Sequence, residues 1–441
     1  MPFYFNSLSA PLFVHWEVTE FCNHRCQYCY NFWRSDKKYK TAEQKKVIPH
    51  DVYSRVVNEI IKHKIYKVIV TGGEPLSVFD SIYPYLLRLH EHGVLLNINS
   101  NLTLLTDDMA EKISKLRIPI LTSLQSYDEK TTNMLTQSPN AYKRIILGIK
   151  RARKYKIGIA VNMVISQKNI DHIFQTAKLA KELGASKFSV TKACRPLSCQ
   201  DFSDFILTPS QLRYAFAELR RVEKEIGIEV DSLSSYPVCL FEKQEDYEHF
   251  GEKRCSAGRN SIAIGVKGDI RPCPHLSESY GNISEGLASA WEKMVSWRDY
   301  SYLPKKCKTC FFASVCRGGC KAEVLANKYK IKDPDPFADF SRALCVHPRK
   351  NESLDMGSIT KDKTYFFPTN FFIRKESFGG LLFNGKSEAY VNDALYWFIV
   401  KHAKESVLLQ DIAKALRTSQ EKAKRTLAYL YRMEMLVESK S

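Results

Sequence analysis

The chain has 441 residues, of which 44% are hydrophobic and 26% charged, with a formal net charge of +18. That length exceeds a single core and suggests several domains of roughly 100–200 residues each, while the globular composition, with no apolar run near the roughly 20 residues of a membrane helix, excludes a membrane-spanning protein. Lysines and arginines are scattered over helical faces without a compact basic-aromatic stripe, which disfavours nucleic acid as the partner.

In chain order, β-branched runs alternate with segments of helical period. Strands are predicted over 13–19, 67–71, 94–99, 118–123, 158–163 and 187–191, and helices over 52–65, 82–92, 107–116, 142–155, 171–183 and 209–225. Six β-α units of this kind read as an α/β fold, a parallel sheet curled into a partial barrel occupying residues 1–232. Over 233–350 Gly, Pro and Cys replace the periodic pattern, so this domain has little regular structure of its own and depends on bound metal for stability. Residues 351–363 read as a polar linker. The stretch 364–441 then carries predicted strands at 365–373, 380–383 and 389–391 and helices at 393–402, 408–416 and 420–433, a small α+β domain of winged-helix outline.

The first residues, MPFYFNSLSAPLF, lack the charged, apolar and small-residue order of a signal peptide, so a cytoplasmic, reducing compartment is expected. There, 13 cysteines argue for metal ligation or redox chemistry rather than disulfides. Cys22, Cys26 and Cys29 follow the first predicted strand with the spacing C-x3-C-x2-C. Three thiolates offered to an iron cluster that needs four ligands leave one iron open to a small molecule. A zinc site of the same cysteines with His24 is the alternative. After the second strand comes Gly72-Gly73-Glu74-Pro75, where glycines permit close backbone approach and a carboxylate can accept from an ammonium. Asn99, Asn101, Ser123, Gln125, Asn162 and Lys192 fall in or just after later strands, toward the carboxyl ends where barrel active sites are built.

On these residues the chain resembles the radical S-adenosylmethionine (radical SAM) enzymes. The resemblance implies a [4Fe-4S] cluster on Cys22, Cys26 and Cys29, with Tyr28 as the aromatic residue before the last cysteine. It implies that the open iron binds the amino and carboxylate groups of S-adenosyl-L-methionine, and that reduction releases a 5'-deoxyadenosyl radical. Gly72, Gly73, Glu74 and Pro75 would hold the methionyl amine, with Asn99, Ser123, Gln125, Asn162 and Lys192 as further cofactor contacts.

A second cysteine field runs from Cys255 through Gly268 and Cys273 to Cys307-x2-Cys310-x5-Cys316-x3-Cys320 and Cys345. It resembles the SPASM extension of radical SAM enzymes. The resemblance implies two auxiliary [4Fe-4S] clusters, one on Cys307, Cys310, Cys316 and Cys345 and the nearer one on Cys255, Cys273 and Cys320. Two cubanes with full protein ligation need eight thiolates and this pattern has seven. Either Cys239 is the eighth, completing the nearer cluster, or that cluster keeps an open iron. A zinc ribbon on Cys307 to Cys320 is the alternative. Cys194 and Cys199 have no assigned role, and His275 and Asp269 are the candidates for proton transfer, with structural roles as the rival account.

Phe378-Gly379-Gly380-Leu381-Leu382-Phe383, then Ala389-Tyr390-Val391-Asn392 and three helices, resembles the precursor-peptide recognition domain of the pyrroloquinoline-quinone D type. This implies capture of a leader peptide as an added strand; a DNA-binding winged helix and a dimerisation module share the outline. The expectation is a maturase that modifies a ribosomally made precursor peptide by hydrogen abstraction, forming a C–C or C–S (thioether) crosslink, with electrons from a donor such as flavodoxin or ferredoxin. The alternatives are a SPASM enzyme acting on a protein or small molecule, such as a formylglycine-type sulfatase maturase or a tetrapyrrole-modifying enzyme, and an iron-sulfur DNA-binding regulator.

Overall fold

The structure is a computed structural model and describes residues 7–33, 49–196, 201–251, 253–341, 346, 359–360, 363–368, 371–385, 387–403 and 405–438. Cys199, Cys345 and most of the predicted linker lie outside the described residues. The chain divides into two compact units, one spanning residues 10–347 and a second spanning 348–441 that also takes in the short segment ending at Ser9.

The larger unit is organised by one sheet. Its strands β1 (Phe13–Glu17), β2 (Lys67–Thr71), β3 (Leu95–Ser100), β4 (Ile120–Ser123), β5 (Ile159–Ile165), β6 (Lys187–Lys192) and β7 (Glu229–Ser232) run parallel in sequence order. Helices α1 (His50–Lys62), α2 (Phe79–Glu91), α3 (Asp107–Lys115), α4 (Glu129–Thr136), α5 (Ala141–Lys154), α6 (Ile173–Glu182) and α7 (Pro209–Ile226) occupy the crossovers. The longer ones bury an apolar stripe: in α1 the buried residues Tyr53, Val56, Val57 and Ile60 recur at the 3–4 residue spacing of one helical face. α7 begins with a capping box between Thr208 and Gln211 and ends at Gly227, whose φ of +68° suits a left-handed stop. The helix α4 has no counterpart in the predicted elements, because its threonines are weak helix formers. Asp128 secures it, its carboxylate accepting from Thr131 N at 2.7 Å, while Leu135 is fully buried.

The cysteine-rich segment is more regular than its composition suggests. Its β8 (Ser261–Ile264) pairs in parallel with β1, and β9 (Asp269–Arg271) and β10 (Gly281–Asn282) continue antiparallel. The sheet therefore runs β10-β9-β8-β1-β2-β3-β4-β5-β6-β7. All four residues of β8 are buried, which explains why a run too short to stand out in the sequence forms a strand once β1 offers it an edge. The longer α-helices of this region are α8 (Leu287–Lys293) and α9 (Lys321–Ala326).

In the smaller unit, β11 (Thr364–Phe366) lies between β15 (Ser406–Leu408) and β16 (Val437–Glu438), and β12 (Phe372–Glu376), β13 (Gly379–Phe383) and β14 (Glu388–Val391) form an antiparallel meander. The predicted strand 365–373 is thus two strands of different sheets, with Pro368, which cannot donate to a ladder, standing between them. Helices α10 (Asp393–Lys401), α11 (Leu409–Ala415) and α12 (Gln420–Arg432) share a core that includes Leu382, Val391, Leu395, Ile399, Leu427 and Leu430. No helix among the described residues is long and apolar enough to cross a membrane.

Candidate active site

The loop after β1 carries the first three cysteines and is fastened along its length. Arg25 N and Gln27 N donate to the carbonyls of Thr136 and Leu135 at the end of α4, at 3.0 and 2.9 Å. Cys29 N donates to Cys26 O at 3.2 Å, and His24 N reaches Cys22 Sγ at 3.4 Å. Burial pushes the Cys22 thiol well above the ordinary range, aided by Glu74 and Cys26. Such a thiol ionises only when a cation compensates it, which is what an iron ligand site supplies.

Gly72 and Gly73 are required by the chain itself. Gly73 N donates to Thr19 O and Glu74 N to Phe21 O, both at 2.6 Å, so the turn after β2 lies directly on the turn after β1. A Cβ on Gly73 would stand 1.9 Å from Phe21 O, and one on Gly72 2.5 Å from Thr19 O. Glu74 is also held by the protein's own donors: Leu76 N and Ser100 Oγ on Oε1, Asn101 N on Oε2. Pro75 opens the short helical turn Pro75–Val78 and is buried behind this loop.

Along the rim, Asn99, Ser123 and Asn162 line the same cavity as the cysteine loop. Ser123 and Asn162 are register partners on β4 and β5, and Asn162 Oδ1 accepts from Thr191 Oγ1 at 2.9 Å. Tyr28 lines the cavity too, its hydroxyl raised by burial and by neighbouring Cys26. Asn101 lies on the same wall, its Nδ2 donating to Asn23 Oδ1 at 2.9 Å. Gln125 is fully buried and is not part of this wall; its Oε1 accepts from Val164 N at 2.8 Å. Lys192 reaches the cavity but its ammonium is paired with Glu323 of α9.

The second field separates into two groups. Cys255, Cys273 and Cys320 line the same cavity as the first triplet, and Cys273 and Cys320 each interact electrostatically with Cys255. Cys307, Cys310 and Cys316 form an outer group. Cys239 stands with the outer group and not with the inner one: burial raises its thiol to about 12, with Cys316 and Cys307 adding to the shift, and its neighbour Val238 donates its N–H to Cys316 Sγ at 3.3 Å. The turn Val238–Leu240 packs on the outer knuckle, which the spacing to Cys255 could not reveal. Cys194 is buried and lines the cavity near Cys320.

Of the two proton-transfer candidates, His275 is in the cavity wall, stacked on Tyr30 with ring centroids 4.1 Å apart and lowered to about 4 by burial and by Lys192. Asp269 sits on β9 away from the wall, its carboxylate accepting from Arg271 Nε at 2.8 Å. Arg271, only 1% exposed, also binds Glu17 of β1 and the carbonyls of Pro274 and Leu276, tying the two cysteine-bearing regions together. Sequence reasoning missed Glu17, Arg271, Glu323 and Asp335, since charged residues far apart in sequence give no sign that they will meet.

The cavity has a volume of about 700 Å³ and is walled by both cysteine triplets. Among the described residues no three Cys, His, Asp or Glu side chains converge as a single-ion chelate requires. A cubane instead needs its cysteines spread around it, each on a different iron. Asn31 adds an acceptor: its Nδ2 donates to Gly72 O at 2.9 Å, while its buried Oδ1 meets no donor among the described residues. Thiols, an open carbonyl oxygen and a backbone cleft shaped by Gly72 suit a cluster with an amino-acid-bearing ligand.

A parallel β/α sheet with three cysteines in the loop after its first strand defines the class. Residues 16–180 match the Radical SAM superfamily and residues 255–311 the iron-sulfur cluster-binding domain SPASM, and the chain is a radical SAM enzyme carrying a SPASM extension. The first domain implies a [4Fe-4S] cluster with S-adenosylmethionine, and the second implies further iron-sulfur binding. Among its relatives, the chain is 26% identical over 347 residues to the AdoMet-dependent heme synthase of Methanosarcina barkeri, covering 75% of this chain and 96% of that protein. It is 23% identical over 356 residues to the PqqA peptide cyclase of Bradyrhizobium diazoefficiens, covering 76% and 88%. In fold it is similar to Streptococcus suis SuiB bound to S-adenosylmethionine, with a TM-score of 0.61 at 20% identity over 76% of this chain and 78% of that one.

Proposed function

We propose that this enzyme is a peptide maturase: it binds a ribosomally made precursor and forms a carbon-carbon or thioether crosslink in it. The observation that carries the reading is the single cavity walled by both Cys22, Cys26 and Cys29 and Cys255, Cys273 and Cys320. A crosslink formed after hydrogen abstraction leaves one electron and one proton to be removed, and Cys255, Cys273 and Cys320 would hold a cluster that supplies a redox centre at the same cavity. When bound, the cluster and S-adenosylmethionine supply the 5'-deoxyadenosyl radical that removes a hydrogen atom from the substrate.

The chain's own residues do the rest. Cys22, Cys26 and Cys29 would hold the first cluster; Asn31 Oδ1 and the backbone of Gly72 would accept from the methionyl ammonium, with Ser123 and Asn162, which line the same cavity, for the nucleoside. Cys255, Cys273 and Cys320 hold an inner auxiliary cluster and Cys307, Cys310, Cys316 and Cys345 an outer one. His275, in the cavity wall and stacked on Tyr30, is the residue we assign as proton acceptor from substrate. The smaller unit supports the peptide reading: β12 and β14 are the outer strands of their meander, and Tyr390 on β14 is 39% exposed, so an extended leader can add as a fourth strand. Electrons come from a flavodoxin- or ferredoxin-type donor. Precursors related to those named for PqqA cyclase and SuiB, which was solved bound to precursor peptide SuiA, are the substrates to test first.

A tetrapyrrole substrate is the second reading, favoured by the heme synthase match over 96% of that protein. Anaerobically reconstituted enzyme, reduced and given S-adenosylmethionine, should release 5'-deoxyadenosine and change the mass of a precursor peptide of the PqqA or SuiA kind. Iron analysis should find about twelve atoms per chain, falling by about four when Cys22, Cys26 and Cys29 are replaced by alanine. Turnover of a porphyrin with none of the peptide would reverse the order of the two readings.

A further inference from the structure

Lys192 ends β6 at the cavity, where the resemblance would have it touch the nucleoside cofactor, yet it is 4% exposed and its Nζ is bonded to Glu323 Oε2. Glu323, 2% exposed, lies three residues after Cys320 in α9. Asn327 Nδ2 donates to its other oxygen at 3.1 Å, and the Cys194 thiol also bonds it. The Lys192 ammonium sits 4.9 Å above the Phe337 ring, and Asp335 Oδ1 accepts from Phe337 N at 2.9 Å. The other oxygen of Asp335 accepts from Cys320 N at 2.7 Å. Gly319, with φ of +80°, makes room for that carboxylate, because a Cβ there would stand 2.4 Å from Asp335 Oδ2. Cys320 is therefore held by a buried network that joins a barrel cation, Lys192, to two carboxylates of the cysteine-rich segment, with the buried ammonium of Lys321 beside them.

We propose that the Lys192–Glu323 pair is a positioning and charge-setting element for the inner auxiliary centre, and not a contact for S-adenosylmethionine. The inference rests on the reading that Cys255, Cys273 and Cys320 hold a cluster. Both side chains are charged in this setting: burial alone would depress the Lys192 ammonium, but Glu323, Cys194, Cys320 and Asp335 outweigh it. For Glu323, Lys192 likewise outweighs the opposing effect of burial. Both side chains are almost wholly buried, so screening is weak and each charge acts on the neighbouring site more strongly than a surface charge would. A cluster gains negative charge when reduced, so a nearby cation favours the reduced form and an anion the oxidised one.

The test is the reduction potential of the auxiliary cluster in reconstituted full-length protein, followed by EPR without substrate. Lys192→Met leaves Glu323 unbalanced and should lower the potential, whereas Glu323→Gln leaves Lys192 unbalanced and should raise it. The double variant, with no charge at either position, should return close to the wild-type value, as should Lys192→Arg. Binding of S-adenosylmethionine, read from its change to the EPR signal of the first cluster, should keep its wild-type affinity in all four. Potentials that move in the same direction for both single variants, or do not move, would overturn the proposal, as would a loss of S-adenosylmethionine affinity confined to Lys192→Met. Wild-type protein that binds only about four irons would instead remove the auxiliary-cluster reading, and this inference with it.

Discussion

Ser100 donates its hydroxyl proton to Glu74 Oε1 at 2.6 Å, joining the end of β3 to the turn after β2. With Leu76 N on the same oxygen and Asn101 N on the other, the charged residue of the Gly-Gly-Glu-Pro turn is a strut between two loops of the site. Burial raises its carboxyl, and these three donors oppose the shift. In Glu74→Gln one oxygen becomes an amide that confronts a donor. The apo-protein is expected to lose about 1–3 kcal/mol, measured by urea denaturation. Unchanged stability with abolished S-adenosylmethionine binding would show that the carboxylate serves the ligand directly.

Gly73→Ala should be far more damaging than its size suggests. The new methyl would meet Phe21 O at 1.9 Å, and backbone cannot move aside as a side chain can. We expect reconstituted Gly73→Ala to retain little iron at the first site. Gly93→Ala, at φ +74° in open space, should cost about 1–2 kcal/mol and leave iron content intact. Equal iron binding by the two variants would contradict the close loop contact.

The buried Glu17–Arg271 pair is the second joint between the regions. Burial raises the Glu17 carboxyl to about 7 against the pull of Arg271. Removing only the guanidinium, as in Arg271→Met, takes away the charge that opposes this shift, so Glu17 is buried as the acid with its hydrogen bonds broken, and the expected cost is about 1–3 kcal/mol. Glu17→Gln combined with Arg271→Met should recover part of this loss. Additive destabilisation in the urea midpoints would mean that the two side chains are not coupled.

His15, on β1 and facing the cavity, is lowered to about 4 by burial and by Lys67. A histidine whose folded value lies below its unfolded one takes up its proton more readily when unfolded, so it favours unfolding as pH falls from about 6.5 toward 4. Because the side chain is only half-buried, the expected loss between pH 7 and 5 is about 1–2 kcal/mol for apo-protein. His15→Gln should flatten that part of the stability profile. A variant with the same acid dependence as the wild type would clear His15 of the effect.

Tyr390 tests the sheet edge of the smaller unit. Tyr390→Asp places a charge on β14 where an incoming strand would lie and is expected to weaken precursor binding by about tenfold, near 1.4 kcal/mol, read by fluorescence anisotropy of a labelled precursor. Iron content should not change. Undiminished binding would move the peptide site elsewhere.

Local chemistry was readable without coordinates because its signals are short-range. Strand and helix periods announced the β/α units, and the spacing of C-x3-C-x2-C and of the second cysteine field pointed to the radical SAM and SPASM domains the chain carries. The same reasoning misjudged 365–373 as one strand although Pro368 lies within it, and passed over α4, whose stability comes from the Asp128 cap and the burial of Leu135.

Partnership between distant residues was not readable. The pairing of β8 with β1, the placement of Cys239 beside Cys316 instead of the inner cysteines, and the meeting of Lys192 with Glu323 all join positions whose separation along the chain has no bearing on their distance in space. Spacing can specify which ligands one loop offers. Which loops share a cavity, and which charges neutralise one another inside it, follows from packing the whole sheet and burying the side chains at its end.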